Sequence, residues 1–398
     1  MRVEFKARMP FSKVPPAGEP GLDRMVRRWT ELLKIGPENL DRTADREDWV
    51  ENAIQLIAAA ECGLSVKAIG PARRDNALET FLANDAAREE TSINAESPCE
   101  TPRLLLGFGG PANNVIAKAT TESPLLWPDV DSAAAVRRYA SNPAFEEIAG
   151  RFARTAHVPG EGSNGDVIDH NHMKALRNVT RAAAKAARGD PAEIILKVVA
   201  VEKYAPLIPM RLSPNATDDA IDAALLKGLG YALAHMEGAR DAILVQERIR
   251  MHHEYRLFVV DGVPVTGAGC VEAFCPLDLP PTSRAFDDRM ENIRGDGDVR
   301  PRPDILAEYL QAAPNMIDRL RAADPDLKDF VLDLATDETG KTLAIELNPS
   351  WNFGLYAMNF HVGLAAIIKA SERRCEKTKQ RTDEKTKNKP RDMTDDAR

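Results

Sequence analysis

The sequence predicts an α/β protein built from α+β lobes, and three observations predict it. The chain has 398 residues, 43% hydrophobic and 29% charged, which is enough for two domains and a large core and matches a soluble globular composition. From residue 193 onward, strand-like apolar runs alternate with long helical patterns. Late in the chain, Phe330-Val-Leu-Asp-Leu-Ala-Thr-Asp-Glu-Thr-Gly-Lys-Thr-Leu-Ala-Ile-Glu-Leu-Asn348 reads as a β-hairpin with one apolar face and one polar face.

Composition narrows the function classes. The formal net charge of −8 argues against a general nucleic-acid binder, which carries a basic balance. No apolar run approaches the roughly 18 residues of a membrane span. The N-terminus, Met1 to Arg8, carries no apolar core of a signal peptide, so none is expected. Five scattered cysteines (Cys62, Cys99, Cys270, Cys275, Cys375) fit a reducing cytoplasm better than a disulfide framework. Cys270 and Cys275 lack a second Cys/His pair at zinc spacing, and His157, His170 and His172 match no zinc pattern.

Residues 1–120 are expected to form an N-terminal domain. Leu22 to Ile35 and Asp48 to Leu64 show helical spacing, the second with Trp49, Ile54, Leu56 and Ile57 as its stripe. Arg103 to Gly110 reads as a buried strand running into a glycine turn, without the full spacing of a dinucleotide or P-loop motif. Residues 131–190 look mainly helical, broken by the glycine-rich loop Pro159 to Gly165.

The remaining elements follow in order. Glu193 to Val201 is a strand, Thr217 to Met236 a helix with Thr217 and Asp218 as candidate caps, and Ala242 to Ile249 a strand. Glu254 to Gly267 is a hairpin turned by Asp261-Gly262, the strongest short turn signal in the chain. If that pair makes the turn, Val260 faces Val263, Phe258 faces Val265 and Arg256 faces Gly267. Pro303 to Ala323 is a helix. Residues 371–398 are polar with interleaved charge and are expected to be a disordered tail.

The late hairpin concentrates the chemistry. With residues 337–340 as the turn, Thr336 faces Lys341 and Asp333 faces Ala344. Side chains alternate between the faces of a strand. Phe330, Leu332 and Leu334 then share one face with Leu343, Ile345 and Leu347. Asp333, Glu346 and Asn348 share the other, a set of hard oxygen donors suited to Mg²⁺. Asn348, before Pro349, reads alternatively as a turn former.

Four features occur in order: a lysine in a strand, an acidic strand end, a Glu-x-Arg hairpin and an Asp…Glu-x-Asn hairpin. In them the sequence resembles the ATP-grasp superfamily over roughly residues 190–365. Ile243-Leu-Val-Gln-Glu-Arg-Ile249 is similar to the adenine-hinge strand of ribosomal-protein glutamate ligases. Glu254-Tyr-Arg-Leu-Phe-Val-Val-Asp-Gly262 is similar to their acidic-x-Arg hairpin, and Ala344-Ile-Glu-Leu-Asn-Pro349 to the closing Glu-x-Asn metal motif. The wording around Lys197 and Asn348 is closer still to a divergent clade. That clade includes a eukaryotic assembly factor for a translation-initiation complex and phage and bacterial relatives. The usual glycine-rich flap is missing: Lys197 to Ser213 has no glycine, and Tyr204-Ala-Pro-Leu-Ile-Pro209 stands in its place.

The resemblance implies an ATP-grasp domain over residues 121–370, with ATP and Mg²⁺ bound between two lobes. Lys197 would grip phosphate, or else snorkel to solvent from a strand edge. Lys203 would reach the β- or γ-phosphate. The backbone at Gln246 and Glu247 would meet the adenine edge, Ile249 would pack on the ring, and Glu254 would accept from ribose hydroxyls or line a solvated hairpin mouth. Arg256, on an apolar face, needs an anion: the transferring phosphoryl group, or a structural partner such as Glu272. Arg284 is a weaker anion contact. Asp333, Glu346 and Asn348 would hold one or two Mg²⁺ ions, and Ser350 to Tyr356 would border the acceptor pocket. The implied reaction joins a carboxylate, on a small molecule, peptide or protein, to an amine through an acylphosphate. An ATP-binding assembly factor with little turnover and a kinase are the alternatives.

Overall fold

The computed structural model describes residues 2–7, 9–71, 88–93, 103–106, 138–157, 170–199, 207–233, 242–283, 285–293, 295, 297–349 and 354–387. Lys203, Arg284, the turn at 107–110, the loop at 159–165 and the expected domain boundary at 120 lie outside these residues.

The N-terminal part contains β1 (Arg2–Lys6), α1 (Pro20–Leu33), α2 (Arg46–Glu61), β2 (Ser65–Pro71), β3 (Arg88–Ile93) and β4 (Arg103–Leu106). The sheet order is β3-β2-β1-β4, with β1 parallel to both β2 and β4. Both helices form where apolar spacing places them. Pro20 opens α1, where its missing N–H costs nothing. Asp45 caps α2, accepting from the N–H groups of Glu47 and Asp48 at 2.9 and 3.1 Å. Trp29 is fully buried, edge-on to Phe5, Phe11 and Trp49.

A second sheet carries one lobe. It holds β5 (Ala153–His157), β6 (Ala192–Val199), β7 (Leu207–Leu212) and β8 (Ala242–Glu247), in the order β5-β8-β6-β7, antiparallel throughout. The short helix α3 (Phe145–Ala149) precedes it. Helices α4 (His170–Ala186) and α5 (Asp218–Leu233) pack Leu176, Ala183, Ile221 and Leu225 onto Ile194, Leu196, Ile243 and Val245. Thr217 Oγ1 accepts the Ala220 N–H at the start of α5. The expectation that 131–190 is mainly helical is corrected at β5, whose strand form comes from pairing with a partner about 90 residues away. Pro209 falls on β7, an edge strand, where a missing N–H is tolerated.

The third sheet holds β9 (His252–Val260), β10 (Val263–Gly269), β13 (Phe330–Thr336) and β14 (Thr342–Pro349), in the order β10-β9-β13-β14. A small ribbon, β11 (Arg289–Glu291) with β12 (Val299–Pro301), precedes α6 (Pro303–Ala323). Asp261 and Gly262 have φ of 51° and 79°, the left-handed pair that the tight β9–β10 turn requires. One face of this sheet packs Tyr255, Leu257, Phe330, Leu332 and Leu347 against Tyr309, Ala313 and Ile317 of α6. The other face packs Phe258, Val260 and Val331 into the same core as Trp29 and Trp49, together with Leu364 and Ile367 of α7 (Phe360–Lys387). The N-terminal part and the third sheet therefore share one hydrophobic interior.

Two hairpin registers differ from expectation: each contains a bulge, and the β13–β14 turn is also one residue longer than expected, so Thr336 faces Thr342. In β9–β10 the register shifts between Pro264 and Thr266, so Phe258 faces Thr266 and Arg256 faces Ala268. In β13–β14 it shifts after Asp333, so Asp333 faces Glu346 and Leu334 faces Ala344. One extra residue in β14 exchanges the parity of its first half, so Ala344 rather than Ile345 joins the apolar core.

The disordered tail expected from residue 371 is also corrected, since α7 continues to Lys387. Ser371 is buried, and Arg374 donates to both Asp261 and Asp329. These contacts lie far away in sequence and leave no mark in local composition. Residues 388–398 lie outside the described part. No helix among the described residues is long and apolar enough to cross a membrane.

Candidate nucleotide and metal site

The site forms on the face of the third sheet that carries Arg256, Asp333, Glu346 and Asn348, where it meets β6 of the second sheet. Arg256 and Asp333 are register partners on adjacent strands. Arg256 donates through Nε to Asp333 Oδ1 at 2.8 Å and through Nη2 to Oδ2 at 2.7 Å. The partner anticipated for this guanidinium as a structural pair was Glu272; the structure makes it Asp333, and Glu272 is exposed. A third bond runs from Nη1 to the Gly354 carbonyl at 3.1 Å. Burial opposes the charge on Arg256, but Asp333 beside it holds the guanidinium well above its ordinary range. The planar fork suits a carboxylate.

Asn348 donates through Nδ2 to Asp333 Oδ2 at 3.2 Å. It is hydrogen-bonded to both carboxylates, Asp333 and Glu346. Glu346, directly across from Asp333, accepts from Lys197 Nζ. This ion pair joins β6 of one sheet to β14 of the other. Burial raises the Glu346 carboxyl, but Lys197 and the Asn348 hydrogen bond outweigh it and hold the group below its usual value. For Asp333, burial and the neighbouring Glu346 push upward against the pull of Arg256. Glu254, half-buried two residues before Arg256, is pushed up to about 7, first by burial and then by Asp333.

Asp333, Glu346 and Asn348 are thus brought together, with Glu254 and Lys197 within electrostatic reach. Their oxygens and the mutual repulsion of their carboxylates suit a divalent cation. The set is two carboxylates and an amide. Among the described residues no group of three or more His, Cys, Asp or Glu side chains is placed to hold a metal. Cys270 and Cys275 belong to no such group.

The strand end at Gln246 and Glu247 is tied to its own lobe, and through Arg151 to β14. Glu247 Oε1 accepts from the Arg188 N–H at 3.0 Å, and the Glu247 N–H donates to the Phe152 carbonyl at 2.9 Å. That backbone donor is therefore engaged within the protein. Ile249, just past β8, is half-buried.

Two functional neighbours escape sequence reasoning. Arg151, 6% exposed, follows α3 in a stretch read as helical. It donates to the carbonyls of Ala344 (2.9 Å) and Ile345 (3.3 Å) at the β14 bulge, and to Gln246 Oε1 (3.1 Å) at the end of β8. Burial lowers it to about 10. It links the second and third sheets beside Glu346. Glu51, on α2, accepts the N–H groups of Leu355 and Tyr356. The only signal for either is a charged residue inside an apolar neighbourhood.

Residues 218–370, which include the sheet that carries Arg256, Asp333, Glu346 and Asn348, match the family model described as the ATP-grasp domain, R2K clade family 3. No curated protein matches the chain. Among solved structures, it is similar to the D-alanine-D-alanine ligase from Coxiella burnetii, with 11% identity over 97% of this chain and 99% of that one and a TM-score of 0.46. It is also similar to a RimK domain protein ATP-grasp from Sphaerobacter thermophilus, with 15% identity over 92% and 98% and a TM-score of 0.38. For Cdc123 from Schizosaccharomyces pombe the figures are 12% identity over 55% and 85%, with a TM-score of 0.30. Likenesses this distant carry nothing about what this chain acts on.

Proposed function

We propose that the protein is a Mg²⁺-ATP-dependent ligase that activates a carboxylate as an acylphosphate for attack by an amine. The observation that carries this reading is the meeting of Asp333, Glu346 and Asn348 on one sheet face, with Lys197 reaching Glu346 from the facing lobe. Glu346 and Asn348, with Asp333 behind them, would hold the metal, which when bound neutralises phosphate charge and aligns the chain of phosphates. Lys197 would exchange Glu346 for a phosphate oxygen.

In the proposed reaction a substrate carboxylate oxygen bonds to the γ-phosphorus while the bond to the bridging oxygen breaks and ADP leaves. The amine nitrogen then bonds to the acyl carbon, phosphate departs and the amine loses a proton. Positioning and charge stabilisation supply most of the catalysis in such transfers. Arg256 is committed to Asp333 and acts in this scheme by fixing that carboxylate.

That commitment also favours a second reading, an ATP-binding assembly factor with little turnover. A guanidinium whose fork is held by a carboxylate is poorly placed to meet charge developing on a phosphoryl group.

Thermal denaturation with ATP and Mg²⁺ tests both. Wild-type protein is expected to gain several degrees, and Glu346→Gln to lose that gain, since binding to the folded state raises the midpoint. A wild-type midpoint indifferent to Mg-ATP would sink both readings. Release of ADP and phosphate only when carboxylate and amine pools are both present marks the ligase; phosphate retained on a product marks a kinase; affinity without turnover marks the binding factor.

A further inference from the structure

Helix α2 belongs to the N-terminal layer, yet one of its side chains ends at the site. Glu51 Oε1 accepts the Leu355 N–H at 2.5 Å and the Tyr356 N–H at 3.2 Å. One carboxylate holding two successive backbone donors is a charge-assisted anchor. The segment needs one, because Tyr356 has φ of 48°, a left-handed conformation that a residue with a large side chain rarely adopts.

The anchored segment touches Arg256 from two sides. The Gly354 carbonyl accepts from Arg256 Nη1, and the Tyr356 ring lies 5.1 Å from the guanidinium carbon. Arg256 in turn grips Asp333. Tyr356 also neighbours Cys270, close enough for each to bear on the other's ionisation, and Cys270 is part-buried.

We infer that Glu51 is the positioning residue for Gly354–Tyr356, and that the N-terminal layer thereby sets the places of Arg256 and Asp333 in the site. What the site does rests on the proposed function; the positioning itself does not. Glu51 acts on the site through the backbone of Leu355 and Tyr356. Without its carboxylate, two N–H groups lose their acceptor, the left-handed turn relaxes, and the tyrosine ring moves off both the guanidinium and the thiol.

Alkylation of the full-length protein with iodoacetamide, followed by mass spectrometry of the Cys270 peptide, tests this. Cys275 is the internal reference. It is fully buried and held by Arg46, at the start of α2, and by Asp278, so it reports whether the helix itself has left the fold. Glu51→Ala and Glu51→Asp, the latter too short to reach both donors, should speed Cys270 labelling about tenfold or more through local opening. Glu51→Gln keeps an oxygen acceptor and should stay near wild type. Cys275 should not change. In the same variants, Glu51→Ala and Glu51→Asp should raise the Mg²⁺ concentration that gives half of the ATP-dependent thermal gain.

Unchanged Cys270 labelling in Glu51→Ala, or an equal rise at Cys275, overturns the inference. If Glu51→Ala does not fold, the contrast between Glu51→Asp and Glu51→Gln decides it. If wild type gains nothing from Mg-ATP, the proposed function fails, while the Cys270 measurement still decides the role of Glu51.

Discussion

Arg256 and Asp333 lie directly opposite each other on adjacent antiparallel strands and are joined by two hydrogen bonds, of 2.8 and 2.7 Å. Only 11% of the arginine side chain and 2% of the aspartate side chain is exposed. Removing one partner leaves the other charged and buried, which costs about 3–5 kcal/mol. Asp333→Asn should therefore lower folding stability by that order without any ligand present. Chemical denaturation checks it, and a change below about 1 kcal/mol would show the pair to be weakly coupled. Glu346→Gln, partly open to solvent, should cost far less, which makes it the cleaner probe of metal binding.

Arg151 makes a different kind of link. Its hydrogen bonds go to the neutral acceptors of Ala344, Ile345, Ala149 and Gln246, on elements that meet beside Glu346. Arg151→Met should leave the bulge carbonyls unsatisfied, at a cost of about 2–4 kcal/mol. Hydrogen exchange should then quicken in β14 and at the end of β8 together. Faster exchange confined to β14 would mean that Arg151 does not join the two sheets.

The Glu254 carboxyl supplies a pH dependence. An unfolded glutamate titrates near about 4.3, and Glu254 in the folded protein at about 7. Between those values the folded state holds the extra proton, so its contribution to stability falls as pH rises through 7. Glu254→Gln should remove this loss and be more stable than wild type at pH 8 by about 1–2 kcal/mol, with no gain at pH 4. Urea titrations at the two pH values would show it. Parallel curves for the two proteins would contradict the assignment.

The end of α7 gives a truncation test. Arg374 bridges Asp261, in the β9–β10 turn, and Asp329, which is 3% exposed. Ending the chain after residue 370 should cost about 2–4 kcal/mol, seen as a lower melting midpoint. Ending it after 387 should change little. Equal midpoints for the two truncations would show that the arginine contacts contribute nothing.

Much of the third sheet was legible because its signals are local. Asp261-Gly262 turns one hairpin, and alternation places Asp333, Glu346 and Asn348 on one face of the other. Pro303 to Ala323 matches α6 in both bounds. What was not legible depends on distance. A bulge and a turn one residue longer each shift the register without changing composition, so the pairing of Asp333 with Glu346 instead of Ala344 left no trace. Arg256 finds its anion 77 residues later. Glu51 reaches its donors across 304 residues. Arg151 sits in a stretch whose neighbours read as helix, and only the packed sheets give it acceptors.

The family match begins at residue 218, but the unit able to stand by itself in water is larger. Phe258, Val260 and Val331 are sealed by the layer that contains Trp29 and Trp49. A fragment cut to the family boundary would carry that sheet with one side stripped, a broad oily surface inviting self-association. Constraints on folding, not motif boundaries, decide where this protein can be divided.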